Sequence, residues 1–148
     1  MKYEIDELDR GIIKHLSKNG RMSFAELATL LNVTEKTIRL RYKNLVDKEI
    51  LNVVGVVNPI ALGLKAGAII LLKVQPDSIK EVIEQVSSIP AIRYVTVTSG
   101  EYPLLVQITV ESQEEITETI YQLNRIKNIT SLNTIVQLDV YKNSFEYI

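Results

Sequence analysis

Apolar residues Ile5, Leu8, Ile12 and Leu16 recur three and four apart, a spacing that gathers side chains on one face of a helix. A first helix is therefore expected, ending near Asn19-Gly20, where glycine suits a left-handed stop. Ser23 and Glu26 stand three apart at the head of a second helix, the spacing of a reciprocal capping box, with Phe24, Leu27, Ala28 and Leu31 directed inward. Asn32-Val33 makes a tight break, and Thr34 supplies a hydroxyl cap for a third helix running to about Asp47. Ile38, Tyr42, Leu45 and Val46 form its inner stripe. "NVVGVVNP", residues 52–59, reads as a β-branched strand and then a hinge, followed by a short helix closed by Gly63.

The period then changes. Ala66–Val74, Tyr94–Ser99, Leu104–Val110 and Thr134–Tyr141 read as strands, while Ile79, Val82, Ile83 and Val86, and later Ile116, Ile120 and Leu123, are helically spaced. The order strand, helix, strand, strand, helix, strand predicts an α+β fold with a ferredoxin-like βαββαβ unit behind three short helices. Helices on one side leave the other sheet face open. Ile69, Leu71, Leu105 and Ile135 alternate onto that face, and self-association is the economical way to cover them.

Charge sharpens the division. Residues 1–50 hold 10 Lys/Arg and 8 Asp/Glu, net +2, whereas residues 51–148 hold 7 and 10, net −3. A nucleic-acid surface needs local rather than total positive charge, so a net charge of −1 does not exclude DNA. The third helix packs Lys36, Arg39, Arg41 and Lys43 close together; Lys36, Leu40 and Lys43 point outward, with Thr37 beside them and Arg39 and Arg41 on the flanks. Such a face is either simply solvated or a reading head, and the two preceding helices and tight turn favour the second. The chain has no cysteine and one histidine, His15, which excludes a disulfide and thiolate metal ligands and argues against a metal site. Neither a phosphate-binding glycine loop nor a nucleophile elbow is present, so no catalytic residue, cofactor or metal is assigned. The longest apolar run, Ala66–Leu72, is seven residues, short of the roughly 20 that span a bilayer. No membrane partner and a cytoplasmic, nucleoid-associated location are expected.

"IDELDRGIIKHLSKNGRMSFAELATLLNVTEKTIRLRYKNL" followed by "NPIALG" resembles the N-terminal half of the leucine- and asparagine-responsive regulators of bacteria and archaea, the Lrp/AsnC family. The likeness extends through the second half, which is similar to the family's ligand-responsive RAM domain. It implies a transcriptional regulator with three parts: residues 1–52 a helix-turn-helix of winged-helix type binding double-stranded DNA, residues 53–64 a linker strand that pairs with its counterpart in a second subunit, and residues 65–148 sensing an effector and assembling. By position, Arg41 matches the family's characteristic recognition-helix arginine, while Lys36, Thr37, Arg39 and Leu40 match its sequence-reading positions; Lys43 completes the DNA-facing set. Tyr42 stands where the family usually has a small branched residue, and Asn52-Val53 where it has a glycine-aromatic pair.

The turn "TSGEYPLL" matches the family's effector loop, which implies effector roles for Ser99, Gly100, Glu101 and Tyr102, with Thr98, Asn133 and Thr134 as accessory candidates. An amino acid is the implied effector: backbone N–H groups near Gly100 suit a carboxylate, and a nearby acidic side chain suits an ammonium. Pro103 takes the place of a frequent acidic residue, removing a charge and a backbone donor. Outside the resemblance, Ser-Gly-Glu-Tyr is an ordinary hairpin turn. The family assembles as dimers and commonly octamers. The alternatives are an enzyme like the siroheme decarboxylases, which share the two-part fold but use histidine and basic residues around a tetrapyrrole where this chain has a single histidine and keeps a basic third helix, and an effector-independent binding module.

Overall fold

Three helices form where the apolar spacing places them: α1 (Glu7–Lys18), α2 (Phe24–Leu31) and α3 (Glu35–Asp47). The structure, a computed structural model, describes residues 3–148. Its contacts divide the chain into one unit of residues up to Val56 together with Lys142–Ile148, and another of Val57–Tyr141.

In the first unit both early helices start with reciprocal caps. Asp6 and Asp9 exchange bonds at α1, and Ser23 and Glu26 do so at α2, where each carboxylate also favours the positive end of the helix dipole. Asn32 takes the left-handed region (φ 55°) between α2 and α3, and the Thr34 hydroxyl accepts from the Thr37 N–H to begin α3. Ile12, Leu27, Ile38 and Leu45 are fully buried where the helices meet. Each such side chain contributes about 1.5–3 kcal/mol relative to exposure, which fixes α3 against α1 and α2 and leaves its other face to solvent.

Several expectations need correction. α1 does not end on a left-handed glycine: Asn19 is its extended cap (φ −144°), and its Oδ1 accepts from the Arg21 N–H instead. Ile5 lies before α1, and Val46 is exposed rather than part of the inner stripe, because the core is filled by Ile38 and Leu45. Residues 52–58 form no strand, since nothing in the single chain offers their backbone a ladder partner, and Val54, Val56 and Val57 stand exposed. The turn at Ile60–Leu62 is a single 3-10 turn closed by Gly63 (φ 84°), as expected.

The second unit is a four-stranded antiparallel sheet of order β2-β3-β1-β4, formed by β1 (Ala66–Val74), β2 (Ile92–Val97), β3 (Leu104–Val110) and β4 (Ile129–Gln137). α4 (Ile79–Ser87) and α5 (Gln113–Asn124) connect them in the expected βαββαβ order. In β1 and β3 alternate residues are buried: Ala68, Ile70 and Leu72 pack with Leu104, Val106 and Ile108 and with Val82, Val86, Ile116 and Leu123 of the helices. Ile69, Leu71 and Leu105 fall on the opposite, half-buried face, and Ile135 beside them is 48% exposed. The last strand begins and ends earlier than its expected Thr134–Tyr141. Asn128 turns the chain with φ 75°, the β-branched and apolar residues from Ile129 pair with β1, and Leu138 beyond Gln137 is almost fully exposed.

Candidate nucleic-acid interface and effector turn

α3 carries all six proposed DNA-facing residues, and its surroundings sort them. Lys36 and Leu40 lie exposed; among the described residues Lys36 is the one α3 cation without an ion-pair partner. Leu40, 59% exposed, offers a solvent-facing apolar group of the kind that meets a thymine methyl. Thr37 is half-buried, and its hydroxyl lies 2.9 Å from that of Thr34, so it also serves the helix cap. Arg39 reaches Glu35 one turn back (3.4 Å) and sits 5.9 Å from the centroid of the Phe24 ring, which itself packs on Tyr42 (5.1 Å between centroids). Lys43 pairs with Asp47 (2.6 Å), and that bond holds its ammonium pKa up. Exposed pairs one turn apart contribute only about 0.3–0.5 kcal/mol, so a phosphate competes with them readily.

Arg41 is placed differently. Its Nη1 donates to Asp6 Oδ2 (2.6 Å) and to Asp9 Oδ1 (3.3 Å), and Asp9 is fully buried while also accepting from the Tyr3 hydroxyl (3.0 Å). The guanidinium thus ties the start of α1 to the middle of α3. Asp6 and Asp9 also form the local capping box of α1. The link to Arg41 spans 35 and 32 residues and has no local signature. The bond from Arg41, and next the Asp9 backbone N–H, hold the Asp6 carboxyl below its ordinary value of 3.8. The folded pKa is the lower one, so this stabilisation is complete above about pH 3.8 and is lost as pH falls through the folded value. Urea midpoints of the wild type should therefore fall on acidification below that point. Asp6→Asn, which keeps the cap, should flatten this limb; an unchanged limb would show that other carboxylates set it.

In the second unit the turn between β2 and β3 is built by its own backbone. The Thr98 N–H donates to the Pro103 carbonyl (2.9 Å), the Thr98 hydroxyl donates to the Tyr102 carbonyl, and Gly100 adopts φ 107°, a value that a side chain would strain. Ser99, Gly100 and Glu101 are exposed at its tip, and Tyr102 is half-buried. Glu101 is not free: its Oε1 accepts from Lys73 Nζ of β1 (2.7 Å), and the same ammonium lies 5.2 Å from the Tyr102 ring centroid. This pair raises the Lys73 pKa and lowers that of Glu101. Lys73 belongs to no motif in the sequence, and the one local signal it carries is that it is the only charged residue within β1. The accessory candidates separate. Asn133 is registered with Leu71 on the open face, the side that carries Lys73, whereas Thr134 is registered with buried Ile70 on the helix-covered side. The structure thus brings Thr98, Glu101 and Tyr102 together and leaves Thr134 off that face.

A capped tri-helical unit that presents a cationic third helix, followed by a βαββαβ unit, defines a two-domain DNA-binding transcriptional regulator with a ligand-binding domain. The AsnC-type helix-turn-helix domain matches residues 5–46 and the Lrp/AsnC ligand binding domain matches residues 67–147. The chain belongs to the Lrp/AsnC family. It is 30% identical to an uncharacterized HTH-type transcriptional regulator of Pyrococcus horikoshii, over 95% of this chain and 90% of that one. With the HTH-type transcriptional regulator FL11 of Pyrococcus furiosus it shares 31% identity, over 99% of this chain and 97% of that one. The solved structure of Escherichia coli AsnC superposes with a TM-score of 0.86 at 25% identity, covering 95% of this chain and 98% of that one. A transcriptional regulator of Neisseria meningitidis, solved as a complex with L-Met, shares the fold with a TM-score of 0.88 at 19% identity, over 96% and 95%. Among the described residues no helix is long and apolar enough to cross a membrane.

Proposed function

We propose that this regulator acts as a homodimer, assembling further to an octamer, that sets two α3 helices into major grooves of a roughly palindromic operator, half-sites lying one helical turn or a multiple apart. Lys36, Thr37, Arg39 and Leu40 read the groove, with Lys43 nearer the phosphates and Arg41 at its flank. The observation that carries this reading is the exposed α3 face, where Lys36 and Leu40 project beside a weakly tethered Arg39. A second copy covers the half-apolar sheet face and pairs with the unladdered valines of the linker, which in one chain lie against solvent.

The effector in this reading is a free α-amino acid held at Thr98, Ser99, Gly100, Glu101 and Tyr102, with Asn133 on the same sheet face and Thr134 acting only through the strand. It alters operator affinity by binding one assembly better than another. Footprinting the protein's own upstream DNA, with and without a panel of amino acids, tests operator, spacing and effector together. Protection repeating at about 10 base pairs and changing with one amino acid is the expected result. Protection that no amino acid changes would leave an effector-independent regulator, and absence of any protected site would remove the reading.

A further inference from the structure

We propose that Lys73 is a tethered occupant of an ammonium receptor made by Glu101 and Tyr102, and that a free amino acid must displace it to bind. The inference rests on the effector reading of the turn and adds how that site is regulated.

The receptor has two parts that recognise the same chemical group. A carboxylate oxygen accepts from the ammonium at 2.7 Å, and an aromatic ring stands 5.2 Å from it at its centroid, within the distance at which a cation is drawn to a ring face. The turn holds these parts in place, since the Thr98 backbone and hydroxyl bond to Pro103 and Tyr102. Lys73 comes from a different element, the end of β1, and is held in position by strand pairing on both sides: Leu72 is registered with Leu104 of β3 and Lys73 with Ser131 of β4. Its ammonium meets Glu101 as the α-ammonium of a free amino acid would. Both are primary ammonium groups, and the position against Glu101 Oε1 and the Tyr102 ring is the one that Lys73 Nζ occupies.

Because Lys73 is tethered, it competes at a high and constant effective concentration. Both side chains are partly exposed, 36% for Lys73 and 71% for Glu101, so the internal pair is weak enough to open. A receptor free for only a fraction of the time weakens the apparent affinity by that fraction. For an exposed ion pair reinforced by a ring contact this amounts to about tenfold. The device sets a high threshold: the regulator answers an abundant amino acid and ignores a scarce one.

The test is calorimetric titration of the full-length protein and of Lys73→Met, Lys73→Gln and Glu101→Gln with common L-amino acids, and with the corresponding amines lacking the carboxylate. Circular dichroism verifies folding, and the glutamine variant serves if the methionine variant misfolds. For an amino acid whose binding Glu101→Gln weakens, removal of the lysine ammonium should tighten binding about tenfold. The matching amine should gain as much, since the competition concerns the ammonium alone. Equal or weaker binding to the Lys73 variants, with Glu101 still required, would overturn the tethered-occupant proposal and leave the effector turn standing. Binding that is indifferent to Glu101→Gln, or no binding to any variant, would overturn the effector reading and this proposal with it.

Discussion

Arg41→Ala destabilises the helical unit by about 2 kcal/mol, seen as a lowered urea midpoint with an unchanged slope. The magnitude follows from the geometry. Removing one partner of a fully buried ion pair costs about 3–5 kcal/mol because the other charge is left stranded. Here Asp9 is buried, but it keeps the Tyr3 hydroxyl and the Asp6 N–H as donors, and the Arg41 side chain is 30% exposed, so the penalty is smaller. In a double-mutant cycle with Asp9→Asn the two losses should fall well short of additive. Full additivity would show that the two groups do not act on each other. Operator affinity should fall as well, because α3 is no longer tied to the start of α1. If Arg41 acts mainly by holding α3, the salt dependence of binding keeps its slope; a phosphate contact would reduce the slope by about 0.9 per subunit.

Replacing both Lys36 and Arg39 with alanine separates reading from folding. These side chains lie on the exposed face, and the lost Arg39–Glu35 pair and Arg39–Phe24 contact are surface interactions, so the unfolding free energy should stay within about 1 kcal/mol of wild type. Operator binding should weaken by at least about 10–100-fold per half-site, since the loss of even one good polar contact to DNA carries that range. If both cations meet phosphates, the log-log salt slope falls by about 1.8 per subunit; if Arg39 meets a base edge, it falls by about half that. Retained affinity for a verified operator would remove α3 from the reading role. The two experiments together separate two roles: Arg41 moves stability with affinity, and the Lys36 and Arg39 pair moves affinity alone.

The amino-acid order alone determined the features that depend on near neighbours. Apolar spacing of three and four, and of two, placed five helices and four strands in the βαββαβ and tri-helical order, since helix and strand faces follow directly from backbone period. The Ser23–Glu26 box was legible because capping is a bond across three residues. Gly20 misled because a left-handed stop is one of several ways to end a helix, and the side chain of Asn19 supplied another. The end of the last strand misled because alternation continues past Gln137, where β1 no longer offers a partner.

Only the tertiary structure decided which charges meet. Arg41 finds Asp6 and Asp9 because α3 packs across α1, and Lys73 finds Glu101 across 28 residues because the turn before β3 closes beside the end of β1. Asn133 and Thr134 are neighbours in the chain yet face opposite sides of β4, since successive strand residues alternate. A long charged side chain reads the same in sequence whether it faces solvent, a phosphate or a carboxylate. What settles its partner is the distance between elements, and that distance is set by packing of Ile12, Leu27, Ile38 and Leu45 in one unit and of the β1 and β3 core in the other.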